Sequence, residues 1–187
     1  MELSFYGDVD PEEVEARFGA VEATFFGCGL TTLGSLRVDW CALRKLNVSS
    51  NDLCARELFE PLDASASLEQ LDASSNRIAS FYPATLPQLR SLNLSFNQLE
   101  TLRGASEVAP RLTTLDVRSN QLRQVVSAFL PASLTALKVA GNPLEEGGSS
   151  RTPQKGGSRT QSSSSRKKGL DDDDDDDDRV PPVPSRR

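Results

Sequence analysis

The chain has 187 residues, no histidine and a formal net charge of −6, a length that suits one domain with appendages. Up to Glu146 it carries 12 basic and 19 acidic side chains, a poor match for nucleic-acid binding, which needs clustered lysine and arginine to displace phosphate counterions. The lack of histidine removes the commonest general base and metal ligand, and no stretch approaches the length of a membrane span.

The amino terminus has no basic segment followed by an apolar run, so no secretory signal is expected and the protein reads as intracellular, cytoplasmic first, with nuclear or ciliary locations open. Asp10-Pro11-Glu12-Glu13 predicts a short helix. Asp10 can cap it, proline suits the first helical position, Glu13 can complete a capping box, and Val9 and Val14 stand where a hydrophobic staple would. Val14 and Phe18 share a face and Gly19 ends the element. Residues 1–19 are therefore expected to be an N-terminal segment whose helix caps the domain beginning at residue 20.

From residue 20 to 146 a single template recurs. Its clearest copy is Leu89-Arg-Ser-Leu92-Asn-Leu94-Ser-Phe-Asn97-Gln-Leu99, which reads LxxLxLxxNxL. Leu43…Leu46-Asn-Val48…Asn51-Asp-Leu53, Leu68…Leu71-Asp-Ala73…Asn76-Arg-Ile78, Leu112…Leu115-Asp-Val117…Asn120-Gln-Leu122 and Leu134…Leu137-Lys-Val139…Asn142-Pro-Leu144 fit it too. A degenerate copy, Ala20-Val-Glu-Ala23-Thr-Phe25-Phe-Gly-Cys28-Gly-Leu30, precedes them, with cysteine in the asparagine place. The copies start at 20, 43, 68, 89, 112 and 134, steps of 23, 25, 21, 23 and 22 residues. Over residues 20–146 the chain resembles the intracellular leucine-rich repeat family.

That resemblance implies an α/β solenoid with a parallel concave sheet of about six strands and irregular or short-helical convex returns. Each repeat is too small to bury its own apolar face, so stacking closes the core. Alternate strand side chains face opposite ways, sending Leu92 and Leu94 inward and Ser91, Asn93 and Ser95 to the concave wall. The recurring asparagines sit where the chain leaves each strand, and an amide with both donor and acceptor suits backbone satisfaction rather than ligand binding. The returns supply Leu33 and Leu36, Leu58 and Leu62, Phe81 and Leu86, Leu102 and Val108, and Val125 and Leu130 as plugs. Cys54–Glu60, just before Pro61, is the best convex helix, and later prolines keep the other returns short. Trp40 is expected to pack on the same side. Cys28, Cys41 and Cys54 lack zinc or redox spacing and read as buried thiols.

From Gly147 to Arg187, one leucine, two valines and no aromatic offer nothing to offset the entropy of ordering. This predicts a disordered low-complexity tail containing a poly-Asp run, Asp171–Asp178. The run can contact basic proteins, and Pro181-x-x-Pro184-x-Arg186 has the form of a ligand for a proline-recognition domain.

No nucleophile elbow, paired-carboxylate pocket, phosphate loop or metal cluster fits the scaffold. The expectation is a non-enzymatic protein-binding scaffold or adaptor, with no cofactor and no small-molecule substrate. Its partner would lie on the concave face against Lys45, Asn47, Gln70, Asp72, Asn93, Asp116, Arg118 and Lys138, where charges of both signs would set register. Asp72 and Asp116 are expected to bracket one basic group over a floor of Ser49, Ser74 and Ser95. Phe96 reads as packing near the turn, with a partner anchor as the lesser reading. Among relatives, the short array is similar to the repeat-type regulatory subunit of protein phosphatase 1 and to axonemal dynein light chains, which implies protein binding. The acidic leucine-rich nuclear phosphoproteins offer an alternative, a binder of histones or other basic proteins.

Overall fold

A computed structural model describes residues 2–7, 20–63 and 65–145. The capping helix expected over residues 10–18 and the tail from residue 147 lie outside the described residues. Seven strands succeed one another in chain order: β1 (Glu2–Tyr6), β2 (Glu22–Phe26), β3 (Lys45–Asn47), β4 (Gln70–Asp72), β5 (Ser91–Asn93), β6 (Thr114–Asp116) and β7 (Ala136–Lys138). They form one sheet, each strand pairing in parallel with the next.

The sheet thus has one strand more than the repeat template predicts. β1 comes from the segment expected only to cap, and it lies in register on β2, with Leu3 opposite Ala23 and Phe5 opposite Phe25. Its reason is apolar: Phe5 stacks on Phe25 with ring centroids 5.2 Å apart, and Leu3 is buried.

Two inward rows make the core. Ala23, Leu46, Leu71, Leu92 and Leu115 form the first, Phe25, Val48, Ala73, Leu94 and Val117 the second, and all are buried. From the convex side Leu33, Leu36, Leu58, Leu62, Leu86, Leu102 and Val108 close it as expected. Trp40, Phe81 and Leu130 are partly buried against it. Val125 does not join them and is exposed. The last repeat is also less covered, with Leu134, Leu137 and Val139 only partly buried, because among the described residues no further repeat stacks on it.

The convex helix α1 (Ala55–Leu62) runs through Pro61 instead of stopping before it. Proline has no N–H to give the Glu57 carbonyl one turn back. That carbonyl accepts from the Leu33 backbone N–H of the preceding repeat at 3.3 Å, so the last turn survives without an orphaned acceptor. Among the described residues a second helix, α2 (Ala105–Val108), and a 3₁₀ turn at Ser127–Phe129 are the other helical returns.

Each asparagine of the template spans two repeats. Asn97 Oδ1 accepts from the Ile78 N–H at 2.9 Å, and its amide donates to the carbonyls of Ala73, Leu94 and Ser95 at 3.0 to 3.2 Å. Asn51, Asn76, Asn120 and Asn142 repeat the pattern. Just before each asparagine the backbone is left-handed, at Ser50, Ser75, Phe96, Ser119 and Gly141, with φ between 54° and 75°. This turn swings the chain out of the strand. The thiols divide differently from expectation, since only Cys28 is buried while Cys41 and Cys54 are exposed, both lying on return segments.

Candidate functional site

The concave faces of β2 to β7 line a groove of about 400 Å³. Lys45, Asn47, Gln70, Asp72, Asn93, Asp116 and Lys138 all contribute to it. Arg118 does not line it but pairs with Asp116, which does. Alternation along each strand puts these side chains opposite the buried leucines, so the template itself assembles the row.

Much of the row is bonded to itself. Asn47 Oδ1 accepts from the Ser49 N–H and hydroxyl at 2.9 and 2.7 Å. Asp72 does the same for Ser74, and Asn93 for Ser95. An Asn or Asp side chain closing on the backbone two residues later is a local turn that tethers the strand end. Ser49 and Ser95 are consequently buried, and with their hydroxyls spent they are not the open groove floor that the sequence suggests.

The two carboxylates expected to act as a pair are unlike. Asp116 is only 5% exposed. Its oxygens accept from the Arg118 guanidinium at 2.8 to 3.1 Å, and Lys138 Nζ lies 3.4 Å away. Its charge is thus already matched within the chain. Asp72 is bonded to neutral donors: Ser74 N–H and hydroxyl, and the Asn93 amide at 3.1 Å. At the other end Lys45 pairs with Glu22 at 2.7 Å, which raises the lysine pKa.

Burial pushes the Asp116 carboxyl up, but the hydrogen bonds and charge of Arg118, with Lys138, outweigh it and hold the pKa below the ordinary value. A folded pKa below the unfolded one, about 3.9, contributes stability that is complete above that pH and is lost as pH falls through the folded value. Asp116→Asn keeps the acceptor for the Arg118 N–H and removes only the charge. Wild type is expected to melt above this variant at pH 7, with the gap closing below about pH 4. A gap independent of pH would rule out the charge as its source.

Two family models match the chain: one described as leucine-rich repeats in two copies, over residues 66–107, and one described as leucine-rich repeat, over residues 87–144. The chain is a leucine-rich repeat protein. No curated protein matches it. Leucine-rich repeat domains generally mediate protein–protein interaction and are typically non-enzymatic modules. In this leucine-rich repeat protein no group of three or more Cys, Asp or Glu among the described residues is placed to hold a metal ion. No helix among them is long and apolar enough to cross a membrane.

Three exposed aromatics add to this surface, Tyr6, Phe26 and Phe96, of which sequence reasoning left out Tyr6. Tyr6 and Phe26 occupy the same register position of β1 and β2, their rings 6.5 Å apart, and both are exposed. Phe96, expected to pack, is 61% exposed, because the left-handed turn that it occupies aims its side chain away from the core. The signal was available: the equivalent residues Ser50, Ser75 and Ser119 are polar, so the position does not face the interior.

Proposed function

We propose that this leucine-rich repeat protein is a non-enzymatic scaffold or adaptor whose concave groove receives a basic segment of a protein partner at Asp72. The observation that carries the reading is the pairing of charges in the groove. Asp116 stands between two cations, Arg118 and Lys138, and Glu22 pairs with Lys45, whereas the Asp72 carboxylate accepts from neutral donors, the Ser74 N–H and hydroxyl and the Asn93 amide. Gln70, Asn47 and Asn93 flank it with hydrogen-bonding groups that can fix register. An intracellular setting goes with this reading, since the thiols of Cys41 and Cys54 are at the surface, where a reducing compartment keeps them from oxidising.

The test uses the turn chemistry of the neighbouring repeats. Asp72→Asn supplies the side chain that Asn47 and Asn93 already use, so the local turn persists while the charge goes. Affinity capture with the full chain is expected to lose the main partner about tenfold or more, the cost of a charge-assisted contact, with the melt unchanged. Asp72→Lys is expected to abolish capture. A partner set untouched by both substitutions would defeat the groove reading, and loss of the partner on deletion of residues 149–187 alone would transfer binding to the tail.

A further inference from the structure

A further cavity lies on the convex side, among the return segments and away from the groove. It has a volume of about 670 Å³, within the range of about 300–1,000 Å³ usual for ligand sites. Phe81, Tyr82, Pro83 and Ala84 from one return and Val108 of α2 supply its apolar lining. Phe81 is held in place by stacking on the fully buried Phe59, with centroids 5.9 Å apart. Gly104 lets α2 start close against that ring: a Cβ there would be 3.0 Å from Phe81 Cβ, and its φ of 95° favours glycine.

The rim is charged and unevenly used. Asp63 gives one oxygen to the Thr85 N–H at 2.6 Å. Arg103 is turned toward the next repeat, its guanidinium 5.8 Å from the Phe129 ring centroid. Glu107 is exposed and has no hydrogen bond or ion pair with any described residue. An apolar cleft with a carboxylate on each side is complementary to an apolar group that carries a positive charge beside it.

We propose that this convex cleft docks a short segment of a protein partner in which an aromatic side chain adjoins a lysine or arginine. The aromatic ring enters between Phe81 and Val108, and the cation lies at Glu107 and Asp63. A protein segment fits better than a small molecule because Pro83, Thr85, Arg103 and Glu107 are all exposed around the mouth. A bound small molecule would leave one face in water there, whereas a peptide covers the mouth with its own backbone. The cleft is separate from the concave groove, so binding here does not depend on Asp72.

The experiment is an amide NMR titration of the full chain with acetyl-Phe-Arg-amide and acetyl-Phe-Glu-amide. The basic peptide is expected to give saturable shifts at Phe81, Thr85, Gly104 and Glu107, with at least tenfold higher affinity than the acidic one. Ala84→Trp should fill the cleft and remove the shifts. Glu107→Lys, at an exposed position with no partner to lose, should weaken the basic peptide at least fivefold, and Asp72→Asn should leave it unchanged. The proposal is overturned if neither peptide gives saturable shifts at these amides, if the two bind equally, or if Glu107→Lys has no effect. Phenethylamine binding more tightly than the basic peptide would also overturn it, in favour of a small-molecule site.

Discussion

Asn97→Ala is expected to cost about 3 kcal/mol, which for a domain of this size lowers the melting temperature by about 10 °C. The estimate comes from what each broken bond leaves behind. The carbonyls of Ala73 and Leu94 keep a second donor, since Asn76 and Asn120 also reach them, and the Ser95 carbonyl still accepts from the Ser75 N–H. Those losses are about 0.5–1.5 kcal/mol each at most. The Ile78 N–H has no such reserve: Asn97 Oδ1 is its acceptor in the buried interior, and an orphaned buried donor costs about 1–3 kcal/mol. Cys28 shows which half of the job a smaller side chain can keep. Standing in the asparagine place of its repeat, it donates its thiol to the carbonyls of Phe5 and Phe26 at 3.5 and 3.6 Å. Asn97→Cys is therefore expected to retain part of the carbonyl contacts, leave the Ile78 N–H unmatched, and cost less than alanine but most of its loss. Thermal melts of both variants decide the matter, and an Asn97→Ala melt equal to wild type would remove the ladder from the account of stability.

The repeat core was legible because its physics is periodic. A template with apolar residues at fixed places fixes which way Leu46, Leu71, Leu92 and Leu115 face, and one shared environment then explains all of them. β1 was not legible by that route because it has only part of the template. Its asparagine place holds Asp8, although Glu2-Leu-Ser-Phe-Tyr-Gly7 visibly parallels Glu22-Ala-Thr-Phe-Phe-Gly27. The concave row was legible as a row, since alternation alone puts Asn47, Asp72, Asn93, Asp116 and Lys138 on one face. Its electrostatics were not read from direction alone. Residues at one template position in successive repeats are about 4.8 Å apart across the sheet, so Asp116 beside Lys138 and Glu22 beside Lys45 are ion pairs written into the alignment of repeats. Reading down the columns, and not only along each strand, separates the spent charge at Asp116 from the open one at Asp72.

That separation leads to the second large effect: Asp116→Lys is expected to unfold the end of the array, while Asp72→Lys is not. Asp116 sits almost fully buried between two cations. A lysine there would bring three positive charges together, lose the acceptor of the Arg118 N–H, and force an ammonium into a space shaped for a carboxylate. Breaking a buried ion pair by removing one partner costs about 3–5 kcal/mol when the remaining charge stays buried. Arg118 and Lys138 are about half exposed and can swing partly into water, which sets the expectation near the lower bound, about 3 kcal/mol. At Asp72 the same change removes a turn contact of about 1 kcal/mol and places the lysine where no cation stands opposite. Melts of the two variants at low and high salt test this directly. Added salt should recover part of the Asp116→Lys loss by screening the repulsion among the half-exposed cations, and should leave Asp72→Lys nearly where it was. If Asp116→Lys melts like wild type, the carboxylate is not a structural charge. If Asp72→Lys melts as low as Asp116→Lys, the charge in the groove is structural as well, and loss of a partner in that variant would report unfolding in place of recognition.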